Sequence, residues 1–279
     1  MHLLSSSAAL AIFFVAGDVM AVDPFEIQIY DGTANAPGAP GLELHVNRVW
    51  NGVRTANPPE LPLHHRTHMT LEPSIGVTRF LELGGYFQTA LRADGTFDYA
   101  GTKVRAKLVT PEGWRKNLRL GVNFELSLLP ERYERSRWGS EFRPIVGWEN
   151  ERWLFAANPI VGIPLGPPGA RGGPTFEPAA MAKIKIKDAV GIGFEYYSSF
   201  GRIAGPDKLD GQLQYLYEVV DVLAIPHFEL NIGVGEGLTS ASNALVAKVI
   251  VGYSWESDAP HDRAPLGRSA PRPGAVRPL

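Results

Sequence analysis

The segment Leu118–Leu128 reads LRLGVNFELSL, and every second side chain in it is apolar. The apolar positions are Leu118, Leu120, Val122, Phe124, Leu126 and Leu128. Arginine, asparagine, glutamate, serine and one glycine fill the positions between them. Because successive side chains of a β-strand point to opposite faces, this pattern predicts a strand with one apolar and one polar face, and a helical period does not fit it.

The same alternation continues over most of the chain from Gly41 to Trp255 and predicts about 12 strands. They lie near residues 41–50, 66–78, 80–91, 97–109, 118–129, 140–149, 153–164, 175–187, 190–200, 211–223, 227–237 and 243–255. Most are longer than the roughly 5–6 residues typical of soluble sheets and close to the about 9–11 that cross hydrocarbon at a tilt. A barrel of about 14 strands is the alternative if the sequence pattern misses one pair of strands.

The connections between these strands alternate in length. Short turns are predicted near residues 78–79, 112–117, 150–152, 187–189 and 224–227, and longer polar connections at 51–66, 92–96, 130–139, 166–174 and 200–211, with a shorter last one at 238–243. Short turns at one end and longer loops at the other are typical of outer-membrane barrels. An even number of strands places both chain ends on the periplasmic side.

Alternation alone does not decide which face meets the solvent, since a soluble barrel would turn its polar face outward. Three features favour an apolar outer face in lipid: a predicted export signal, long strands, and aromatic residues near strand ends. These aromatic residues are Phe80, Trp114, Trp138, Trp148, Trp153, Tyr196, Tyr253 and Trp255. The alternative is that these aromatic residues belong to the apolar core of a soluble barrel. We therefore predict an all-β, antiparallel, up-and-down transmembrane β-barrel.

The first residues, 1–21, are typical of a secretory signal peptide. The apolar run 8–16 is too short to span a bilayer as a helix, which needs about 20 residues. Val19 and Ala21 supply the small residues of a cleavage site before Val22. A buried N-terminal helix is the alternative. Since no later stretch is apolar enough for a transmembrane helix, the mature chain can enter a membrane only as a closed barrel.

Four regions follow from these patterns: a signal peptide at 1–21, an N-terminal periplasmic or lumen segment at 22–40, the transmembrane barrel at 41–256, and a tail at 257–279. The second region contains a strand-like piece, Phe25–Asp31, followed by a Pro/Gly-rich stretch. The tail is rich in proline and arginine and has no period, so we predict that it is disordered.

The inward set of a membrane barrel would be charged here. The predicted lumen-lining residues are Glu72, Glu82, Lys103, Arg105, Lys107, Arg119, Glu125, Arg143, Glu149, Glu177, Lys183, Lys185, Glu195, Glu218, Glu229 and Lys248. Charges inside a membrane span mark either a solute pathway or a structural ladder of ion pairs. The two basic rows, at 103–107 and 183–187, could attract anions, but we favour pairing with the glutamates.

Composition excludes several classes of function. The formal net charge is −2 and there is no cysteine, so neither nucleic-acid binding nor thiolate chemistry is indicated. His64, His65 and His68 could bind a transition metal, although a solvated loop is the preferred interpretation. Ser240 and Ser242 lie in a turn, and no G-x-S-x-G motif occurs. The glycine-rich residues 234–237 precede no helix, so a phosphate loop is not indicated. We expect no catalytic residue, metal ligand or cofactor, and no enzymatic activity.

Three segments carry a family resemblance: TLEPSIGVTRFLELGGYFQT at 70–89, RLGVNFELSLLP at 119–130 and FELNIGVGEG at 228–237. They resemble the uncharacterised outer-membrane barrels grouped as the "MetA-pathway of phenol degradation" family, over about residues 25–255. The family has no catalytic signature to transfer. The resemblance implies an outer-membrane barrel that passes small molecules, including hydrophobic or aromatic ones.

Three functions follow as hypotheses. The first is a passive or gated outer-membrane channel for small solutes, with membrane lipid and the solute as its partners. The second is a non-conducting structural or partner-binding barrel, and the third is an enzyme at the barrel rim. The charged inward face favours the first, while the short loops argue against an adhesive role.

The cleavage site gives the first testable expectation. A chain exported and cleaved before Val22 begins with the residues Val-Asp-Pro-Phe. Intact-mass spectrometry of the protein purified from outer membranes should therefore find a mature chain that starts at Val22. A membrane-inserted chain that retains Met1 would instead support an N-terminal helix.

Overall fold

A computed structural model describes residues 22–111, 113–167, 169–186 and 189–255. The strands are β1 (Pro40–Asn51), β2 (Thr67–Thr78), β3 (Leu81–Leu91), β4 (Phe97–Val109), β5 (Leu118–Leu128), β6 (Trp138–Glu149), β7 (Trp153–Asn158), β8 (Val161–Pro164), β9 (Thr175–Phe176), β10 (Ala179–Ile186), β11 (Val190–Ser199), β12 (Gly201–Arg202), β13 (Gly205–Pro206), β14 (Leu213–Val222), β15 (Phe228–Gly237) and β16 (Leu245–Ser254). A short 3₁₀ turn covers Gly169–Gly172. Among these residues, no helix is long and apolar enough to span a bilayer.

These strand segments form a closed antiparallel barrel of 12 strands, as the alternation predicts. Each strand pairs with its neighbours in the chain, and β1 pairs with β16 from Gly41–Ser254 to Asn51–Leu245 to close the ring. Four of the 12 strands are interrupted: β7 continues in β8, β9 in β10, β11 in β12 and β13 in β14. Pro159 and Pro178 stand in two of the gaps, where proline lacks the N–H that a continuous ladder needs.

The two ends of the barrel differ. The start of β1, the end of β16 and the short turns lie at one end, which we call the terminal rim. The longer connections lie at the other end, the loop rim. The predicted loop 200–211 is a loop only in part: Gly201–Arg202 and Gly205–Pro206 extend the wall as the hairpin β12–β13, in which Gly201 pairs with Pro206. Gly201 has a φ of 78°, a conformation that glycine adopts at low cost and that other residues avoid.

The barrel turns its apolar face outward. In β5, Phe124 and Leu126 are 45% and 42% exposed, whereas Glu125 between them is 3% exposed. Seven of the eight predicted rim aromatics are exposed; Tyr196 is half-buried. An exposed apolar wall around a charged interior is the reverse of a soluble barrel and matches the burial that lipid requires.

Residues 22–39 lie inside the barrel rather than in its wall. Gly38 donates its N–H to Gly76 O at 2.7 Å near the terminal rim. From Gly38 back to Val22, the chain runs through the lumen towards the loop rim. The wall is shaped for it: a methyl group at Gly147 would lie 1.9 Å from Asp31 O, and one at Gly76 would lie 2.2 Å from Ala36 O. Glycine at these positions lets the two backbones touch.

Strand β14 corrects one predicted lumen residue. Its sequence, LQYLYEVVDV, is apolar on both faces, so alternation does not fix its orientation. The structure buries Tyr215, Tyr217 and Val219 and exposes Glu218. The prediction that Glu218 lines the lumen is therefore wrong, because the apolar side of the inner segment selects the aromatic face of β14. In the ladder Glu218 lies opposite Phe194 and Val234, which are exposed to the outside.

The predicted signal peptide, 1–21, and the predicted tail, 257–279, lie outside the described residues. Both remain predictions from the sequence.

Glu218 and Glu195 make a matched pair on neighbouring strands that test the orientation of the wall. A lone carboxylate on the lipid face is unfavourable, so Glu218→Leu should stabilise the folded barrel by about 1–2 kcal/mol. Glu195 binds Lys183 and Lys248 in the lumen, so Glu195→Leu should destabilise it by about 3–5 kcal/mol. Urea titration in lipid vesicles measures both. Destabilisation by Glu218→Leu would contradict the outward placement.

Candidate functional site in the barrel lumen

The lumen has an apolar side that receives the apolar side chains of the inner segment, residues 22–39. Ile27 and Ile29 are buried in one cluster with wall residues of β10, β11, β14 and β16. These wall residues are Ala179, Met181, Tyr197, Leu213, Tyr215, Tyr217, Val219 and Val246. Burying the two isoleucines removes apolar surface from water at about 25 cal/mol per Å², which favours the seated segment.

Apart from its bridge to Gly76 at the terminal rim, the backbone of the inner segment is held by wall side chains rather than by strand pairing. Thr70 Oγ1 donates to Phe25 O at 2.9 Å, and Lys248 Nζ donates to Ile27 O at 2.9 Å. Arg143 Nη1 donates to Gln28 O at 3.3 Å. Buried backbone carbonyls need such partners, so polar wall residues take over the role that a neighbouring strand would otherwise play.

Tyr30 is the centre of these contacts. Its N–H donates to Asn158 Oδ1 at 2.8 Å, and Asn158 Nδ2 donates back to Tyr30 O at 2.9 Å. Its hydroxyl lies 2.7 Å from the Tyr86 hydroxyl. The Arg143 guanidinium stacks 4.6 Å from the ring centroid, a cation–π contact. Tyr30 therefore joins the aromatic and the charged sides of the lumen.

The charged side of the lumen is a network of ion pairs. The pairs within the wall are Arg105–Glu72, Arg105–Glu82, Lys107–Glu82, Lys103–Glu125, Arg143–Glu141, Lys183–Glu195, Lys183–Asp221, Lys248–Glu195, Arg119–Glu149 and Lys185–Glu149. The described members of the two basic rows pair with glutamates, as the sequence interpretation favoured. Removing one partner from such a buried pair costs far more than the pair itself contributes.

Two aspartates anchor the inner segment to this network. Asp31 accepts a hydrogen bond from Arg119 Nη1 at 2.7 Å, and Asp23 pairs with Lys103. Burial alone would raise the pKa of Asp31, but the Arg119 guanidinium and the hydrogen bonds from Thr33 hold it below its usual 3.8. Burial would also raise the pKa of Asp23. The neighbouring Lys103 outweighs this effect, so the pKa of Asp23 is lowered as well. Both anchors are ionised at neutral pH.

Glu26 differs from the two aspartates. Burial, reinforced by the carboxylate of Glu125, raises the pKa of Glu26 to about 8. Its carboxyl group accepts a hydrogen bond from the Tyr30 hydroxyl at 3.0 Å. Arg143 Nη1 lies 3.2 Å and Lys103 Nζ 3.5 Å from this carboxyl group, so Glu26 also belongs to the charged network of the lumen.

The structure places the predicted lumen residues as follows. Eleven are buried inside the barrel: Glu72, Glu82, Lys103, Arg105, Lys107, Arg119, Glu125, Arg143, Lys183, Glu195 and Lys248. Glu149, Glu177 and Lys185 are half-buried, and Glu229 is exposed near the terminal rim on the side of β15 that buries Asn231. Glu218 lies on the outer face.

Sequence reasoning missed the residues that the inner segment brings to the site. Asp23, Glu26, Tyr30 and Asp31 belong to that segment, and Asn158 is its partner in the wall. The strand-like pattern of Phe25–Asp31, with charged or polar residues between apolar ones, was the available signal. It indicates an extended segment with two faces but does not say which surfaces receive them.

A small cavity remains between the inner segment and the wall on the loop side. It measures about 80 Å³ and is lined by Asp23, Phe25, Lys103 and several wall residues. The carboxylates of Glu125, Glu134, Glu141 and Glu177 also face it. This volume holds only a few water molecules, so the inner segment fills this part of the lumen.

The other sequence candidates have structural roles. The rings of His64 and His65 in the first long loop are tilted against each other, with centroids 3.8 Å apart, whereas His68 lies in the lumen against Phe25. The hydroxyl of Ser240 donates to Asp210 O and that of Ser242 to Gln214 O, which fixes the turn between β15 and β16. Residues 234–237 belong to β15.

Comparisons with known proteins show the same fold. No family model matches the sequence, and no curated protein matches it. Among solved structures, an outer-membrane channel from Pseudomonas putida F1 aligns with a TM-score of 0.55 at 11% identity, over 82% of this chain and 100% of that one. The KdgM porin aligns with a TM-score of 0.51 at 11% identity, over 77% and 99%. At this identity the likeness concerns the fold.

The anchors of the inner segment give a matched pair of variants. Asp31→Asn removes a charge that Arg119 binds, so it should raise hydrogen exchange of the segment amides at least about tenfold, since such a bond contributes about 1.5–3 kcal/mol. Glu26→Gln keeps the shape of the side chain and its contact with the Tyr30 hydroxyl and leaves the bond between Arg119 and Asp31 intact, so it should change exchange less. Mass spectrometry of peptides from residues 22–39 measures both.

Acid should act in the same direction as Asp31→Asn. A lowered folded-state pKa means that the anchors stabilise the seated segment above 3.8 and lose that effect as pH falls through the folded values. Equal exchange in wild type and Asp31→Asn at neutral pH would contradict the anchoring role.

Proposed function

We propose that the protein is an exported outer-membrane channel for small solutes whose lumen is closed by its own inner segment, residues 22–39. The observation that carries this proposal is the way the segment is held. It occupies the lumen through side-chain contacts, whereas the barrel closes through β1 and β16 without it. A filler that is not part of the sheet can move without breaking the wall.

The position of the segment supports a gate rather than a permanent core. It is joined to the wall at the terminal rim by the Pro37–Gly76 bridge, just before β1 begins. Its other end is the start of the predicted mature chain, near Val22. Phe25 there packs against Tyr133 of a connection at the loop rim. Once the predicted signal peptide is removed, one free end and one tethered end would allow the segment to swing out towards the terminal rim, which we place in the periplasm.

The lining supports a class of solute. With the segment displaced, one side of the lumen presents Tyr197, Tyr215 and Tyr217, and the opposite side presents paired charges. Aromatic side chains bind apolar and aromatic rings, and charged groups orient polar substituents. This lining favours small amphipathic or aromatic solutes, in line with the family that the sequence resembles. The proposal includes no catalytic step.

The extent of the ion-pair network favours a second function, a non-conducting barrel in which the segment is a fixed core. Buried, satisfied networks make a structure rigid and specify one arrangement. In that case the protein would serve a structural or partner-binding role. Conductance separates the two functions.

Single-channel recording in planar bilayers tests the gate. The full mature chain should be mostly closed, and a variant lacking residues 22–34 should show larger and more persistent conductance steps. Replacing Lys103, Arg105 and Lys107 by alanine in that variant should shift selectivity towards cations, because three positive charges leave the wall.

Folding must be shown separately, by the heat-dependent electrophoretic mobility that intact barrels display. A correctly folded deletion variant that stays silent would overturn the channel and favour the non-conducting barrel. Equal conductance with and without the segment would support a pore but contradict the gate.

A further inference from the structure

Three side chains with metal-binding atoms converge in the lumen near the terminal rim. Glu43 and His45 lie on the inner face of β1, and Glu72 lies directly opposite Glu43 on β2. His45 Nε2 is 3.1 Å from Glu72 Oε2 and 3.5 Å from Glu43 Oε2. Within the described part of the chain, this is the group whose donor atoms all lie within 4.8 Å of one another. Two carboxylates thus face a single imidazole nitrogen.

These distances suit a shared ion. Zinc bonds to histidine nitrogen and carboxylate oxygen are about 2.0–2.2 Å, so donors around one tetrahedral ion lie about 3.3 Å apart. The separations of 3.1 and 3.5 Å lie on either side of that value. Two opposed glutamates on adjacent strands also repel each other. Arg105 offsets the charge of Glu72, and a divalent cation between the two carboxylates would offset the charge of Glu43 as well.

The surroundings prepare Glu72 for this role. Arg105 Nε donates to Glu72 Oε1 at 2.7 Å, which leaves Oε2 directed at His45. Hydrogen bonds from neighbouring groups orient ligating carboxylates in this way at metal sites. The Nδ1 atom of His45 has no hydrogen-bond partner among the described residues, so the buried imidazole is held through Nε2 alone.

A second, independent observation comes from the inner segment. Gln28 Nε2 donates a hydrogen bond to Glu43 Oε2 at 3.0 Å, while the other amide atom, the carbonyl oxygen Oε1, is buried without a hydrogen-bond partner in the described structure. Reversing the amide exchanges the two atoms at almost no steric cost. It would bring Oε1 to about 3 Å from Glu43 Oε2, the separation of a fourth ligand on the same ion.

An ion can reach this group from the terminal rim. The Glu43 side chain is 23% exposed, whereas His45 is fully buried. Gly252 lies between Glu43 and the exposed Glu229: a methyl group there would touch Cγ of the first at 3.0 Å and Cβ of the second at 3.3 Å. A second carboxylate at the entrance attracts cations towards the site.

We propose that Glu43, His45 and Glu72, with the amide oxygen of Gln28, form a site for a divalent transition metal of the zinc type. Imidazole with carboxylates suits zinc and its neighbours better than calcium or magnesium, which prefer oxygen ligands alone. The bound ion clamps the inner segment to β1 and β2 through Gln28. Binding does not depend on whether the barrel conducts, so the two proposals fail independently.

Cobalt(II) is the probe, because a cobalt ion with nitrogen and oxygen ligands in a zinc-type site has visible absorption bands. The mature protein, folded in detergent micelles, is titrated with Co²⁺ and then with Zn²⁺. We expect one Co²⁺ per barrel, displaced by Zn²⁺. H45N should weaken binding at least about a hundredfold and Q28A about tenfold, since even groups that only support a ligand contribute about 10–100-fold to affinity.

The control variants use the other histidines. H68N removes an equally buried lumen imidazole on β2, and the double variant H64N/H65N removes the pair in the loop. Both should bind Co²⁺ as wild type does. E43Q changes a partly exposed ligand and keeps its shape, so it tests the site even if H45N fails to fold.

The outcomes separate clearly. Loss of binding in H45N and E43Q with retention in H68N supports the site. No cobalt absorption in the wild type at millimolar Co²⁺ overturns the proposal and assigns His45 to an ion pair between two carboxylates. Binding that survives in E43Q and H45N but disappears in H64N/H65N overturns it as well and moves the metal to the loop.

Discussion

Hydrocarbon offers no hydrogen-bond partner to a backbone amide, and the architecture of this chain follows from that constraint. Strands can cross lipid only if the sheet has no edge. The pairing of β1 with β16 removes the edge, and the remaining pairs follow chain order. Once the ring is closed, its outer face must be apolar, and the polar half of each alternating strand can only point into the lumen.

The lumen, unlike the apolar outer face, collects charged side chains, and inside a narrow barrel these charges must be neutralised. Pairs such as Arg105–Glu72 and Lys248–Glu195 do this across neighbouring strands. The inner segment completes the arrangement: its aspartates bind Arg119 and Lys103, and its isoleucines cover the tyrosines on the other side. Anchoring by side chains keeps the barrel and its filler as separate structures, a separation that a gate needs.

The proposed metal site also depends on the closed sheet. Glu43 and Glu72 face each other because the register of β1 and β2 is fixed by ring closure, and His45 reaches both because it lies two residues along the same face. A divalent ion there would join the wall to Gln28. Closure of the sheet, neutralisation of the lumen and seating of the segment would then depend on one another at a single place.

By itself, the sequence determined the approximate number and bounds of the strands, which follow from period-two alternation. Strand length, the aromatic residues near strand ends and the predicted export signal favoured an outward apolar face, and the charges favoured pairing of the basic rows with glutamates. The tertiary structure decided the orientation of β14, whose two apolar faces give alternation nothing to choose between, and thereby the position of Glu218. It alone placed residues 22–39 in the lumen and His45 between two carboxylates. Contacts between residues far apart in the chain depend on the register of the closed sheet, which no local pattern encodes.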